Sequence, residues 1–209
     1  MPGGAMYERY FETLNDILGQ VREANRDSIL AAAGIVADTV ERDGLVHVFG
    51  SGHSELLAME AAGRAGGLAC VQVIIDPGHG KAEMVEGYAA TILRDYPFEH
   101  RDCLIVISNS GRPASPIEMA LAGREAGLAV IVVTAVDFSR TVSSLHSSGL
   151  RLCDIGDAVL DTCGAPGDAA VDVPGAPTAT GPTSTVVGAA LLNAMLVEAI
   201  AELVRRGVE

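Results

Sequence analysis

Short aliphatic runs recur along the middle of the chain, separated by segments with the length and composition of helices. The runs that predict strands are Leu45–Phe49, Ala69–Ile75, Cys103–Ile107, Ala129–Val133 and the shorter Ala158–Leu160. Strands that helices cover on both faces are apolar along their length, whereas strands with one wet face alternate apolar and polar residues. The pattern therefore predicts an α/β fold with a doubly wound, mainly parallel five-stranded sheet.

The segments around these runs predict the helices that flank the sheet. Between strands, helices are expected over about residues 54–66, 82–94 and 114–126, and two further amphipathic helices over 6–42 precede the first strand. A long helix over about 182–206 is apolar nearly all round. A helix of that kind is buried, either in its own domain or in an oligomer interface.

A single domain accounts for residues 1–209. No repeat or linker interrupts the chain, which is why one domain is predicted. Within it we distinguish an N-terminal helical extension (1–44) and an α/β core with its C-terminal helix (45–209). The chain contains no Trp, four Phe and four Tyr. The core must therefore be built from Ala, Val, Leu and Ile.

Charge and cysteine usage narrow the expected partners and compartment. The formal net charge of −13 argues against nucleic acid and anionic membrane surfaces as partners. The apolar run at 186–201 is too short and too interrupted to span a bilayer. The N-terminus lacks the charged and apolar segments of a signal peptide, and the four cysteines show no Cys-x-x-Cys spacing. These features predict a cytoplasmic protein with reduced thiols.

Two strands end in turns made of glycine and small polar residues. Gly-Ser-Gly-His-Ser occupies 50–54 after the first strand, and Ser-Asn-Ser-Gly occupies 108–111 after the third. Pro113 suits the first position of the helix that follows. Hydroxyl groups and free N–H groups at a helix start favour a bound anion. Because ligands of doubly wound sheets bind beyond the carboxyl ends of the strands, we predict an anion site between the two turns.

Neither turn matches a nucleotide-binding motif. Position 55 is Glu, so Gly50-Ser-Gly lacks the third glycine of Gly-x-Gly-x-x-Gly, and no acidic residue ends the second strand before Asp76. The sequence contains no Gly-x-x-x-x-Gly-Lys-[Ser/Thr] motif. We therefore expect neither a dinucleotide cofactor nor a nucleoside triphosphate.

Together, the two turns resemble those of the sugar isomerase (SIS) domain family over about residues 28–205. Glu60-x-x-x-Arg-Ala-Gly-Gly, Gly164-Ala-Pro and Gly181-Pro-Thr-Ser-Thr are similar to one branch of that family. The resemblance implies a flavodoxin-like sheet, a small phosphorylated sugar as ligand and assembly as a homodimer or homotetramer. We expect no cofactor.

By this resemblance, the phosphate of the sugar lies against both turns. Its expected ligands are Ser51, Ser54, Ser108, Asn109 and Ser110. Many family members carry a further Ser or Thr three residues after the second serine of the signature, where this chain has Pro113, and the nearby Ser115 could compensate. The alternative is that these hydroxyl groups only cap helices.

One candidate for the catalytic base lies on the helix after the first turn. Isomerisation between aldose and ketose needs a base that moves a proton between adjacent carbons. His53, Glu60 and Arg64 fall on one face of the predicted helix, so Glu60 is a candidate base and His53 a candidate substrate contact. The alternative for Glu60 is an i,i+4 ion pair with Arg64. Related phosphoheptose isomerases have a histidine and a glutamate at these two positions, a pair that can hold zinc, so their chemistry does not transfer directly.

The glycine-rich segment after the second strand provides other candidates. His79 could open the sugar ring or donate a proton, and Glu83 could be the base. Lys81, a single lysine beside thirteen arginines, and Glu86 could contact the substrate. The alternative is a solvated loop and first helical turn. No spacing here matches a zinc motif, so no metal is predicted.

Two further substrate-site candidates lie near the C-terminus. His146 could reach the site of a neighbouring subunit, and Thr183 lies at the start of the C-terminal helix. The reaction that we predict is aldose–ketose isomerisation of a sugar phosphate. The alternatives are ether elimination from N-acetylmuramic acid 6-phosphate and sensing of a sugar phosphate without turnover.

Overall fold

A computed structural model describes residues 5–208, which form an α/β fold around one parallel sheet. The strands are β1 (Val46–Gly50), β2 (Val71–Ile74), β3 (Cys103–Ile107), β4 (Ala129–Thr134) and β5 (Ala158–Asp161). Their order is β2-β1-β3-β4-β5, and each neighbouring pair is parallel. The predicted flavodoxin-like, doubly wound sheet is therefore confirmed.

Seven α-helices surround the sheet within the described residues. They are α1 (Met6–Ala24), α2 (Arg26–Glu41), α3 (Ser54–Glu60), α4 (Tyr88–Ile92), α5 (Ala114–Glu125), α6 (Val136–Thr141) and α7 (Ser184–Arg206). The two N-terminal helices and the long C-terminal helix lie where the sequence pattern predicted them.

Alternate residues of the central strands enter two cores on opposite faces of the sheet. In β3, Ile105 packs with the residues of α1, α2, α3 and α7, whereas Leu104 and Val106 pack with those of α4 and α5. All three side chains are at most 1% exposed. Both faces are thus covered, which explains why the strand sequences are apolar without alternation.

The N-terminal helices share the core of the sheet. Asn25, between α1 and α2, is 1% exposed and joins the two helices to β5. Its Nδ2 donates to the carbonyl oxygens of Val21 and Asp161, and its Oδ1 accepts from the N–H of Asp161 at 2.6 Å. These bonds fix the N-terminal helices to the edge of the sheet.

Helix α7 packs along α2 and also contacts α3 and α1. By length and composition it could cross a membrane, and it is the one helix of the described chain with that property. Its buried residues include Leu191, Met195 and Ala199, which belong to the core of the sheet. This packing is that of a core helix.

Several predicted boundaries were wrong because local glycines and side chains stop the helices. The predicted helix 54–66 ends at Glu60, and turns with left-handed glycines at Gly63 and Gly66 follow. The predicted helix 82–94 begins only at Tyr88, because turns occupy 77–87. Helix α6 was not predicted. Val171 and Thr180 form an isolated antiparallel bridge outside the five strands.

A buried ionisable pair lies at the end of the sheet where β1 and β3 begin. His47 Nε2 lies 3.1 Å from Asp102 Oδ2, and the two residues are 0% and 6% exposed. Burial alone raises the pKa of Asp102, but hydrogen bonds from the N–H groups of Leu45 and Glu99 and from His47 outweigh it and lower the pKa. Asp102 therefore anchors both strand starts as a carboxylate.

The four cysteines are free thiols. Burial raises the pKa of Cys103 to about 12 and that of Cys163 to about 11. Cys103 lies within β3 and is 0% exposed. A thiol with such a raised pKa is a weak nucleophile at neutral pH, which suits a structural role.

Candidate functional site

A cavity of about 420 Å³ opens at the carboxyl ends of β1, β3, β4 and β5. It includes the point between β1 and β3 where the strand order reverses, the place where doubly wound sheets bind ligands. Its walls are Ser51, Gly52, His53, Ser54, Leu57, Glu83, Ile107, Ser108, Asn109, Ser110, Pro113, Val133, Phe138, Thr162, Gly167, Asp168, Ser184 and Thr185. Both predicted turns therefore line one cavity.

The first turn places two hydroxyl groups and an imidazole on the cavity wall. Ser51 is 6% exposed, and its hydroxyl donates to Glu83 Oε2 at 2.6 Å. Ser54 begins α3, and His53 lies exposed at the rim. Ser51 and Glu83 were separate candidates from the sequence, and the structure joins them in one hydrogen bond.

The second turn exposes hydroxyl groups, while the N–H groups of Ser108 and Gly111 are bonded within the protein. The N–H of Gly111 lies within hydrogen-bond distance of the carbonyl and the Oγ of Ser108. Gly111 has a φ of +61°, and a Cβ there would meet the hydroxyl groups of Ser139 and Thr134, so a side chain does not fit. Ser110 follows on the same wall. The hydroxyl protons of Ser108 and Ser110 have no acceptor among the described residues and are available to a ligand.

The start of α5 contributes less to an anion site than the sequence indicated. The N–H of Ser115 donates to the carbonyl oxygen of Glu83 at 2.9 Å, and Pro116 has no N–H. The Ser115 hydroxyl is fully buried without a partner and does not line the cavity. Ser115 therefore holds the Glu83 backbone, and it does not replace the hydroxyl group missing at Pro113.

Asp76 shapes the loop that carries Glu83. Its Oδ1 accepts from the N–H of Gly78 and the hydroxyl of Tyr88, and its Oδ2 accepts from the N–H of Gly80. The hydrogen bond to Asp76 is the main reason that the pKa of Tyr88 is raised. The sequence signal for this role is that Asp76 precedes Pro-Gly, because Asp in that position forms turns.

The same loop packs directly on the first turn. A Cβ on Gly80 would lie 2.7 Å from the Cα of Gly52, so only glycine permits this approach of the two backbones. Glu83, three residues later, thereby reaches Ser51 and the cavity. The glycines of this segment, for which a solvated loop was the alternative, allow the loop to pack on the first turn.

His79 forms a pair with a residue that sequence analysis did not propose. Its Nδ1 lies 2.8 Å from Glu55 Oε2. The side chain of His79 is 71% exposed, whereas that of Glu55 is 9% exposed. Glu55 lies in the first turn of α3, where the helix dipole favours a carboxylate. The pair lies beside the cavity rather than in its wall.

Glu60 and Arg64 are not brought to the cavity. They form an ion pair with each other on the exposed side of α3 and the turn after it, the alternative that the i,i+4 spacing allowed. Within residues 5–208 no group of three or more His, Cys, Asp or Glu side chains has the arrangement of a metal site.

Lys81, Glu86 and His146 also lie outside the cavity wall. Lys81 is exposed. Glu86 accepts from the hydroxyl and the N–H of Ser147, and these bonds lower the pKa of Glu86. His146 Nε2 lies 3.7 Å from Glu118 Oε1. These contacts attach Ser147 to the loop before α4 and His146 to α5.

Helix α7 and the segment before it close the cavity on the remaining side. Thr183 is 1% exposed and its hydroxyl is unpartnered among the described residues, while Ser184 and Thr185 line the cavity. Phe138, Thr162 and Asp168 are wall residues that sequence analysis did not single out. The sequence offered only weak signals, namely that phenylalanine is rare in this chain and that Asp168 follows a Pro-Gly pair.

Comparison with known proteins matches this fold and this chain to one family. A family model described as SIS domain matches residues 9–135. A UPF0309 protein of Streptomyces griseus is 41% identical over 96% of this chain and 84% of its own length. A phosphoheptose isomerase from Neisseria gonorrhoeae has the same fold, with a TM-score of 0.65 at 18% identity over 94% of this chain and 100% of its own. The NanR protein of Vibrio vulnificus, complexed with ManNAc-6P, has a TM-score of 0.59 at 16% identity over 98% of this chain and 64% of its own.

Proposed function

The chain belongs to the SIS-domain family, and from that premise we propose that it binds a phosphorylated sugar in the cavity and interconverts its aldose and ketose forms. The observation that carries the proposal is the meeting of both serine turns with one carboxylate, Glu83, on a single cavity wall. The phosphoheptose isomerase and the ManNAc-6P complex of similar fold support a sugar phosphate as the ligand class.

The phosphate is held by neutral donors. Ser108, Ser110 and Ser54 present hydroxyl groups to the cavity, and Asn109 adds an amide. No Lys or Arg belongs to the cavity wall as far as the chain is described. Hydrogen bonds from neutral donors to a charged acceptor are stronger than neutral pairs, so several of them together bind a dianion.

Glu83 is the base in this proposal. It takes the proton from C2 of the open-chain aldose and returns it to C1, while a second proton passes from O2 to O1. Glu83 is half-buried, and its backbone is fixed by Ser115 and Gly80. Glu60 has no part in this scheme, because it is exposed and paired with Arg64.

The hydrogen bond between Ser51 and Glu83 links phosphate binding to the base. The hydroxyl of Ser51 donates one proton, which Glu83 accepts in the structure. A phosphate that accepts the hydrogen bond of the Ser51 hydroxyl replaces Glu83 as its acceptor. The carboxylate is then free to face the sugar carbons.

His79 is the proposed acid that opens the sugar ring. Glu55 binds its Nδ1, so Nε2 is the ring nitrogen left for the substrate. His53 lies nearer to the cavity and contacts the sugar hydroxyls in this arrangement. Assembly as a homodimer or homotetramer, a cytoplasmic location and a site shared with His146 of a neighbouring subunit stay predictions.

The test combines binding and turnover on one panel of sugar monophosphates. The panel contains ribose 5-phosphate, glucose 6-phosphate, fructose 6-phosphate, sedoheptulose 7-phosphate and N-acetylglucosamine 6-phosphate. Titration calorimetry measures binding, and NMR follows the aldose–ketose ratio and the exchange with solvent deuterium of the C2 proton of the aldoses or a C1 proton of the ketoses. We expect at least one sugar to bind and to exchange.

Two glutamates three residues apart provide a matched pair of variants. Glu83→Gln should lower kcat by about 10²- to 10⁴-fold with binding retained. Glu86→Gln, which changes the same charge outside the cavity wall, should leave kcat within a few-fold. His79→Gln should slow ring opening more than proton exchange of the open-chain sugar. Binding of a sugar phosphate without exchange or turnover of any panel member would instead support a sensor.

A further inference from the structure

The N-terminus of α7 faces the cavity, and a carboxylate of the chain already occupies it. The N–H groups of Thr183 and Ser184 donate to Asp168 Oδ1 at 3.0 and 2.9 Å. The hydroxyl of Ser184 donates to Asp168 Oδ2 at 2.6 Å. Asp168 itself lines the cavity. Three donors that could bind an anionic ligand group are therefore bound to the protein's own anion.

The backbone before α7 is bent to bring Asp168 to this place. Gly167 and Asp168 have φ values of +72° and +55° in succession. A left-handed conformation is unfavourable for most residues with a side chain, although Asp tolerates it better than most. The bonds to α7 offset that cost and hold the carboxylate against the cavity.

The rest of the cavity wall does not counterbalance this charge. Glu83 and Asp168 are the acidic residues of the wall. Within the part of the chain that the structure describes, His53 is the one wall residue that can carry a positive charge, and no Lys or Arg lines the cavity. The serine turns supply donors for one phosphate. A second anionic group on the same ligand would face the carboxylate of Asp168, which already binds the N–H groups of Thr183 and Ser184 and the hydroxyl of Ser184.

We infer that Asp168 is a specificity-determining residue. Its carboxylate occupies the donors at the start of α7, where a second anionic group of a ligand would otherwise bind. The ligand is thereby restricted to sugars whose only anionic group is the phosphate. The inference rests on the proposed function and adds the substrate class to it. Repulsion by Asp168 excludes ligands with a second anionic group. These are sugar bisphosphates, and also aldonic acid phosphates and N-acetylmuramic acid 6-phosphate, which both carry a carboxylate. Ether elimination from the last of these is thereby disfavoured as the reaction.

Paired ligands that differ by one anionic group test the inference. Fructose 6-phosphate is compared with fructose 1,6-bisphosphate, and glucose 6-phosphate with 6-phosphogluconate, by titration calorimetry on the full chain. The wild-type protein should bind the neutral-sugar member of each pair at least about tenfold more tightly. Equal or tighter binding of the doubly anionic members would overturn the inference and leave the proposed function standing. Binding of neither member, together with no binding of any sugar monophosphate, would overturn both.

Variants of Asp168 assign the selectivity to that residue. Asp168→Asn keeps an oxygen acceptor for the N–H groups of α7 and removes the charge, so the tenfold preference should fall to about threefold or less. Asp168→Ser, which also caps helices well, provides a second variant if the first does not fold. Asp172→Asn changes the same charge at an exposed position of the same segment and should keep the preference. A preference unchanged in both Asp168 variants would overturn the assignment.

Discussion

Removal of the hydroxyl groups of Ser108 and Ser110 is the most direct perturbation of the proposed phosphate site. Both side chains line the cavity, and neither hydroxyl proton has an acceptor among the described residues. The double variant Ser108→Ala plus Ser110→Ala therefore removes two donors to the ligand and one weak acceptor contact, from the N–H of Gly111 at 3.3 Å. The fold should be little affected.

The expected loss of affinity follows from the two hydrogen bonds to a charged group. Each contributes roughly 1.5–3 kcal/mol, so the pair accounts for about 3–6 kcal/mol of binding free energy. Since about 1.4 kcal/mol corresponds to a tenfold change, the Kd should rise by about two to four orders of magnitude. Titration calorimetry with the tightest-binding sugar monophosphate of the panel, and with inorganic phosphate, measures the change.

Ser115→Ala is the matched control. The Ser115 hydroxyl is fully buried, unpartnered and outside the cavity wall. Its removal should leave the Kd within about twofold and the melting temperature unchanged or slightly raised, because an unsatisfied buried hydroxyl is lost. A loss below fivefold in the double variant, or an equal loss in Ser115→Ala, would refute the placement of the phosphate at the second turn.

Two further predictions concern the buried groups of the sheet. Asp102→Ala should lower the free energy of unfolding by roughly 3–6 kcal/mol at pH 7, because the N–H groups of Leu45 and Glu99 and the ring of His47 lose their acceptor. The folded-state pKa of Asp102 is lowered from its ordinary 3.8, so its stabilising effect is full above that pH and is lost as the pH falls through the folded-state value. In urea denaturation, the difference between wild type and Asp102→Ala should therefore shrink below about pH 3.8, and a constant or growing difference would contradict this account. Cys103, whose pKa burial raises to about 12, should resist iodoacetamide at pH 8 in the native protein and react once urea unfolds it. Peptide mass spectrometry after a short pulse measures this, and equal labelling of Cys103 before and after unfolding would rule it out.

The sequence was sufficient to predict the sheet and the two turns because both depend on local patterns. An aliphatic run such as Leu104–Ile107 is most stable as a strand when both of its faces are buried. The polar turn at 108–111 ends that strand. Parallel pairing of β1 with β3 then brings the ends of both strands to one edge. The convergence of the serine turns could thus be predicted before any contact was known.

The choice among the acidic residues could not be made in this way. Glu60 had the favourable helical spacing, yet α3 ends there and its side chain pairs with Arg64. Glu83 had only a glycine-rich neighbourhood, yet the loop docks on the first turn because Asp76 binds Gly80. Which carboxylate reaches the cavity depends on where a loop packs.

By itself, the sequence determined the fold class, the family and the position of the two serine turns. The tertiary structure decided which side chains join them: Glu83 against Ser51, Glu55 behind His79, and Asp168 at the start of α7. The physical reason is the range of the interactions. Strands and turns follow from neighbours along the chain. The residues of these pairs are 15 to 32 positions apart, and only the packed structure brings them within hydrogen-bond distance.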